Sequence, residues 1–303
     1  MIQENHSCVI TQEPREKDYI AGLNSPLPYV ENVSDGNWTP FLPDFDLQKE
    51  NGLETDACVT FSAVQSVEVQ INWLLKNNLL SQYHIDGLKS LGFLTDGTFH
   101  ASERYLAVLD GTTENGNTMP APWDTMRTYG LIPYDDMPFS ADITTWGEYY
   151  TQPTPEQIAK GKQFLDLFAL NYEYVWANGN LTCPIPYLLK HLKQAPLCIA
   201  TPVCWPWNQV EVSVCTLTAP QHSTMVYNED QLTHILDHYV PFLKELPQGY
   251  FIPYAVKGIV SIVPPPQPPS VPTTVAPTQA NVNILTQIVS LYQKILSLLK
   301  VGK

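Results

Sequence analysis

The longest helical pattern in the chain runs from Cys58 to Asn77. Apolar residues recur there at Phe61, Val64, Val67, Ile71, Leu74 and Leu75, the spacing of one helix face. Thr55 or Asp56 stands where an N-cap would accept from the free amides of the first turn. A short helix is predicted at Ser102-Glu-Arg-Tyr-Leu-Ala-Val-Leu109, with Ser102 as its N-cap, and a turn at Asn115-Gly116-Asn117. Another helix spans Pro122 to Tyr129 and is closed by Gly130. Residues 133–155 read as loop, Pro155–Phe168 as helix or a helical turn, and Pro184–Lys193 as helix with Pro186 near its start. Beyond this point the period changes. Residues 196–203, 223–227, 232–239, 249–254 and 258–263 are rich in β-formers and bounded by turn residues. Helices first and strands second predict an α+β domain, whose site can lie between the halves.

The flanks differ from this body. Residues 1–47 are rich in Pro, Asn and Asp with little periodicity, and predict an extended surface arm. The globular domain is expected over residues 48–263. Residues 264–282 form a Pro-rich linker, and its stiff polyproline-type stretch, residues 264–277, at about 3.1 Å per residue, reaches on the order of 40 Å. From Asn283 to the end, Ile284, Ile288, Leu291, Ile295 and Leu298 share one face, widened by Leu285, Tyr292 and Leu299. An apolar stripe this broad calls for a partner. The helix is therefore expected to dock to its own copies or to another protein.

Composition narrows the class. The 303 residues are enough for one large domain or two small ones. The net charge of -14 argues against nucleic acid as a partner. No run of apolar residues is long enough to span a membrane, and the N-terminus lacks the basic-then-apolar pattern of a signal peptide. Synthesis in the cytoplasm with reduced thiols is the expectation. The cysteines at 8, 58, 183, 198, 204 and 215 form no CxxC pair, so neither a metal site nor a cofactor is expected. Cys198, Cys204 and Cys215 read as core thiols.

Cys58 differs because it opens a helix. Free amides and the positive end of the helix dipole favour its thiolate, the nucleophilic form. A thiolate needs a base or counter-ion, and that partner needs an orienting group. His222 leads from a turn into a predicted strand. Asp237 lies on the next one, where two antiparallel strands would set the side chains together.

At these residues the chain resembles the papain-like cysteine peptidases, most of all divergent bacterial and phage members. Cys58-Val-Thr-Phe-Ser is similar to the family's Cys-Trp-Ala-Phe-Ser, and Ala101-Ser-Glu-Arg-Tyr-Leu106 to its Leu-Ser-Glu-Gln segment. Gly130-Leu, followed by Met137-Pro-Phe139, is similar to its Gly-Ile…Tyr-Pro-Tyr. His222-Ser-Thr-Met-Val resembles the His-Ala-Val strand. Asp237-His-Tyr, followed by Gly249-Tyr-Phe-Ile, resembles Asn-Ser-Trp followed by Gly-Tyr. The likeness covers about residues 45–262. Departures lie beside the nucleophile, where Asp56-Ala57 replaces Gly-Ser, and at the orienter, where Asp237 replaces Asn. Tyr239 stands where the family has a shielding Trp. The position of the family's oxyanion glutamine is Gly52; Gln48 is the nearest candidate and would require a longer loop, with Asn51 as the fallback.

The resemblance implies a two-lobed fold, helical then β-rich, that hydrolyses an amide bond of a peptide or protein. It implies Cys58 as nucleophile, His222 as acid and base, Asp237 as orienter, and Gln48 in the oxyanion hole. Gly116 and Asn117 would line the substrate groove. Trp205 and Trp207 read as core, and His234 and His238 as surface or packing residues. The alternative is an inactive module of the same fold, built into a larger assembly such as a virion.

Overall fold

The computed structural model describes residues 8–203, 207–213 and 219–266, together with 287, 290 and 291. The chain divides into two compact units, residues 1–264 and 265–303. Cys204, Trp205, Cys215, nearly all of the Pro-rich linker and most of the expected C-terminal helix lie outside the described residues. In that second unit Gln287, Ser290 and Leu291 are helical. No helix among the described residues is long and apolar enough to cross a membrane.

The first unit contains helices α1 (Cys58–Lys76), α2 (Gln82–Leu91), α3 (Glu103–Leu109), α4 (Ala121–Tyr129), α5 (Trp146–Tyr149), α6 (Pro155–Phe164) and α7 (Ile185–Leu192). Short strands accompany the helical part: β1 (Val9–Ile10), β2 (Lys49–Glu50), β3 (Leu53–Glu54), β4 (Leu94–Thr95), β5 (Thr98–Phe99) and β6 (Asn117–Thr118). The long strands follow: β7 (Phe168–Ala177), β8 (Leu197–Thr201), β9 (His222–Glu229), β10 (Thr233–Leu236), β11 (Leu243–Leu246) and β12 (Tyr254–Ile262). These last six form one antiparallel sheet in the order β11-β10-β9-β8-β12-β7. The fold is α+β.

Nearly every residue of α1 is buried, including Thr60, Ser62, Gln65, Ser66, Glu68 and Gln70. Buried polar groups need partners, and four of those on α1 tie the helix to its surroundings. Ser62 Oγ bonds Ser223 Oγ at 2.7 Å, and Glu68 Oε1 accepts from the Ala101 amide at 2.8 Å. Gln70 Oε1 accepts from Val260 N–H, and Asn72 Oδ1 from Phe99 N–H. Alternation along the strands separates two cores. Phe168, Leu170, Tyr172 and Tyr174 of β7 join α1, α2 and α4 in one. Val175, Leu197, Ile199 and Val226 join α7, Trp38 and Trp207 in the other.

Several elements differ from expectation. The helix expected over Pro155–Phe168 stops at Phe164, and Phe168 opens β7, a strand the periodicity did not reveal. Helix α2 and strand β11 are likewise additions, and β12 starts at Tyr254 and absorbs the strand expected at 258–263. Neither Thr55 nor Asp56 caps α1. Ala57 holds the N-cap position with no side-chain bond, and Asp56 has φ 53°. The Thr55 hydroxyl donates instead to the Gln48 carbonyl. The other expected cap holds: Ser102 Oγ accepts from Tyr105 N–H at the start of α3. The arm is exposed or half-buried over much of its length but seats Cys8, Val9, Asp18 and Ala21 in the body, and Trp38 is fully buried, its indole donating to the Leu192 carbonyl.

Candidate active site

Cys58 is the first residue of α1 and is sealed from solvent. Its sulfur is joined to Cys8 in a disulfide. The expectation of reduced thiols is corrected at this pair, while Cys183 and Cys198 are free and buried. Burial pushes both of those thiols up to about 12, which suits core residues. Cys8 is held by its backbone as well. Its N–H donates to the Gln221 carbonyl at 2.9 Å, and its carbonyl accepts from Asn117 N–H at 3.3 Å. Beyond it β1 pairs parallel with β6, Val9 opposite Asn117 and Ile10 opposite Thr118. Gly116 permits this approach: φ is +77°, and a Cβ there would fall 2.1 Å from the Cys8 carbonyl oxygen. The Asn117 side chain points elsewhere and donates to Asp110.

His222 opens β9 and Asp237 follows the last residue of β10, its neighbour in the sheet. His222 Nε2 lies 2.6 Å from Asp237 Oδ1. The other ring nitrogen, Nδ1, lies 3.5 Å from Cys8 Sγ. Cys8, Cys58 and His222 all bring a sulfur or ring nitrogen within 4.8 Å of one another. The structure therefore brings Cys58, His222 and Asp237 together, with Cys8 as a fourth member that spacing along the sequence gave no sign of.

Asp237 is fully buried and accepts four hydrogen bonds. Oδ1 takes His222 Nε2 and the His238 amide; Oδ2 takes Trp207 Nε1 at 2.7 Å and Lys244 Nζ at 2.6 Å. Burial alone would raise this carboxyl, but the bond and charge of His222, with His238 and Lys244, hold it below the ordinary carboxylate range. Lys244, on β11, also donates to the Tyr239 and Pro241 carbonyls. Trp207, expected only as core, packs edge-on to the His222 ring at 5.8 Å, and Tyr239 flanks that ring at 5.5 Å. His238 is buried against Phe61, and burial together with the neighbouring His222 lowers it to about 3. Trp207 and Lys244 are the partners missed by sequence reasoning. A lysine on an alternating strand reads as solvent-facing, and Lys244 points inward.

The oxyanion candidates lie on the turn before α1. Gln48 is buried; its amide nitrogen donates to Glu54 Oε1 at 2.8 Å, and its backbone N–H to the His238 carbonyl. Between Gln48 and Cys58, β2 and β3 form a hairpin whose two-residue turn is Asn51-Gly52, with φ of 52° and 80°. Positive φ at both turn residues is the type I′ pattern for which Asn-Gly is suited. This hairpin separates Gln48 from Cys58. Asn51, the fallback, turns its amide toward the Ser140 and Ile143 carbonyls.

Among the described residues two clusters have metal-ligand types, Cys8/Cys58/His222 and His222/Asp237/His238. In the first the sulfurs are bonded to each other. In the second the carboxylate is already filled by four donors. Neither donor set fits an ion as it stands.

No protein-family model matches the chain, and no curated protein matches it in sequence. Solved structures do match. Xylellain, a cysteine protease from Xylella fastidiosa, is similar with a TM-score of 0.57 at 12% identity, covering 85% of this chain and 95% of xylellain. Digestive procathepsin L2 proteinase from Tenebrio molitor larval midgut gives a TM-score of 0.52 at 12% identity, covering 84% of this chain and 78% of that one. The chain has the papain-like cysteine-protease fold.

Proposed function

We propose that the protein is a cysteine peptidase that hydrolyses amide bonds through a thioester on Cys58. The observation that carries this reading is His222, bonded through Nε2 to a buried carboxylate and facing the Cys8–Cys58 sulfurs with Nδ1. An imidazole whose Nε2 faces a carboxylate keeps its proton there, leaving Nδ1 to exchange a proton with a thiol. Once free of Cys8, the Cys58 thiolate attacks the carbonyl carbon. His222 then protonates the departing amine, and Asp237 supports the imidazolium and fixes the ring. The Cys58 amide at the start of α1 and the second N–H of the Gln48 amide stabilise the oxyanion. Water activated by His222 hydrolyses the thioester. The backbone from Asn117, with Gly116 beside it leaving room for the approach, offers an edge to an extended peptide, by the strand pairing that Val9 and Ile10 now make with Asn117 and Thr118.

The test is hydrolysis of a set of fluorogenic peptide amides by the reduced full-length protein. Activity should appear, and Cys58→Ala should lower it by at least about a thousandfold, as for loss of a catalytic nucleophile. Undiminished activity in Cys58→Ala would overturn the reading. So would a fully reduced protein that cleaves none of the set, which would favour the inactive-module alternative.

A further inference from the structure

The arm does something the proposed reaction has no use for. It spends the nucleophile's sulfur in a covalent bond and occupies the edge where a substrate strand would pair. We propose that the Cys8–Cys58 bond is a thiol–disulfide exchange site for dithiol reductants, and that the arm is a covalent latch which such a reductant opens. This rests on the peptidase reading for its consequence, but not for its chemistry.

Several independent features converge on Cys8. Its sulfur is bonded to Cys58 and faces His222 Nδ1, so both groups proposed for the reaction are covered by one residue. Its backbone is bonded on one side to Gln221, the residue before His222, and on the other to Asn117. Gly116, where any side chain would strike the Cys8 backbone, keeps the seat open. The strip Val9–Gln12 lies against Met119, Tyr174 and Tyr254. Downstream, the arm is anchored without covalent help. Tyr254 OH donates to Glu13, and Arg15 bonds Asp18, Asp124 and Tyr172. Breaking the disulfide removes the covalent hold on the stretch ahead of Glu13, which then keeps its backbone bonds at Cys8 and the β1–β6 pairing, while the rest of the arm stays docked.

The exchange balances as follows. One thiolate of the reductant attacks Cys8 Sγ, on the residue that keeps some exposure (3% for Cys8 against 0% for Cys58). The Cys8–Cys58 bond breaks, and its electron pair leaves with Cys58 as the thiolate. The reductant's second thiol then attacks its own sulfur in the mixed disulfide, and Cys8 departs as a thiolate that takes up a proton. The reductant ends as a disulfide, oxidised by two electrons, and the protein gains two thiols. Cys58 emerges as an anion at a helix start beside His222, where it is stabilised.

The test uses the full chain purified without reductant. Non-reducing peptide mapping reads the Cys8–Cys58 link, iodoacetamide reads the free Cys58 thiol, and a fluorogenic peptide amide reads hydrolysis, each before and after dithiothreitol. We expect the linked peptide and no Cys58 labelling before reduction, and labelling with hydrolysis after it. Cys8→Ser should label at Cys58 with no reductant present. Gly116→Ala, which keeps both cysteines but spoils the seat, should label at Cys58 without reductant or after a shorter exposure than wild type. Wild-type Cys58 labelling without reductant would overturn the latch, as would a Cys8→Ser protein that still needs reductant. If reduction exposes Cys58 and no peptide is cleaved, the latch stands and the peptidase reading falls.

Discussion

Lys244 Nζ lies 2.6 Å from Asp237 Oδ2, and neither side chain is exposed to solvent. This pair explains why an aspartate stands where the resemblance leads one to expect asparagine. Four donors converge on the carboxylate, two on each oxygen. An asparagine could accept at one oxygen only, and its amide nitrogen would face donors on either side.

Asp237→Asn is therefore expected to be poorly tolerated, losing stability and most hydrolysis. Lys244→Met should cost about 3–5 kcal/mol, as when one member of a buried pair is removed. The double variant Asp237→Asn/Lys244→Met should be more stable than the sum of the two single losses allows, because it removes the donor that asparagine cannot satisfy. Urea denaturation of all four proteins measures the coupling. Strict additivity would mean that Lys244 does not set the identity of residue 237.

Opening the latch should also loosen the fold. The disulfide closes a loop of 50 residues, for which chain entropy gives a stabilisation of about 4 kcal/mol. Cys8→Ser should lower the free energy of unfolding by up to that amount, seen as a fall in the urea midpoint, and reduction of the wild type should lower it equally. A midpoint unmoved by either would show that the arm is held by its other contacts alone.

His100 predicts a pH dependence. Its Nε2 lies 2.8 Å from Asp46 Oδ2, and its ring stacks on Tyr134. Burial lowers its pKa, but the Asp46 bond and the charges of Glu68, Asp46 and Asp44 override this and raise it from 6.5 to about 9. A base raised in the folded state adds stability that is complete below 6.5 and is lost as the pH climbs to about 9. Thermal stability should fall across that window, and His100→Gln should flatten the fall. A variant whose stability curve parallels that of wild type would refute the assignment.

Glu103 adds to the same trend. It is fully buried at the start of α3, and burial, then the charges of Asp46 and Glu68, push its carboxyl well above the ordinary value. An acid raised on folding costs stability as the pH rises past its unfolded value. Glu103→Gln should therefore stabilise the protein at neutral pH, on the order of 1 kcal/mol for a relieved buried group, and the gain should vanish near pH 4. Differential scanning at the two pH values decides it.

The fold class was legible because α1 carries a long helical period and the later strands alternate. The proximity of His222 and Asp237 was legible because one turn separates their strands. Strand β7 was not. Phe164, Leu165, Leu167 and Phe168 continue a helical spacing, and only the burial of Leu170, Tyr172 and Tyr174 on one face reveals the switch of period. Glu173, pointing to the other face, survives burial because Lys257 meets it at 2.6 Å, a pairing between strands that no local pattern announces. Cys8 was unreadable for the same reason. Its partner is set by the path of the arm, and cysteine spacing alone does not fix connectivity. Lys244 and Trp207 reach Asp237 from a neighbouring strand and a distant loop, so their roles arise only from tertiary packing.

The bond between Ser62 and Ser223 has a further consequence. Ser62 lies one turn along α1 from Cys58, and Ser223 directly follows His222; Cys198 Sγ also donates to the Ser62 carbonyl from the sheet. The helix that bears the sulfur and the strand that bears the imidazole are thus riveted together one step behind the reacting atoms. In the proposed latch, departure of the arm would leave the spacing of thiol and ring in the keeping of the framework, so that the shut and open forms would differ in their doorway alone.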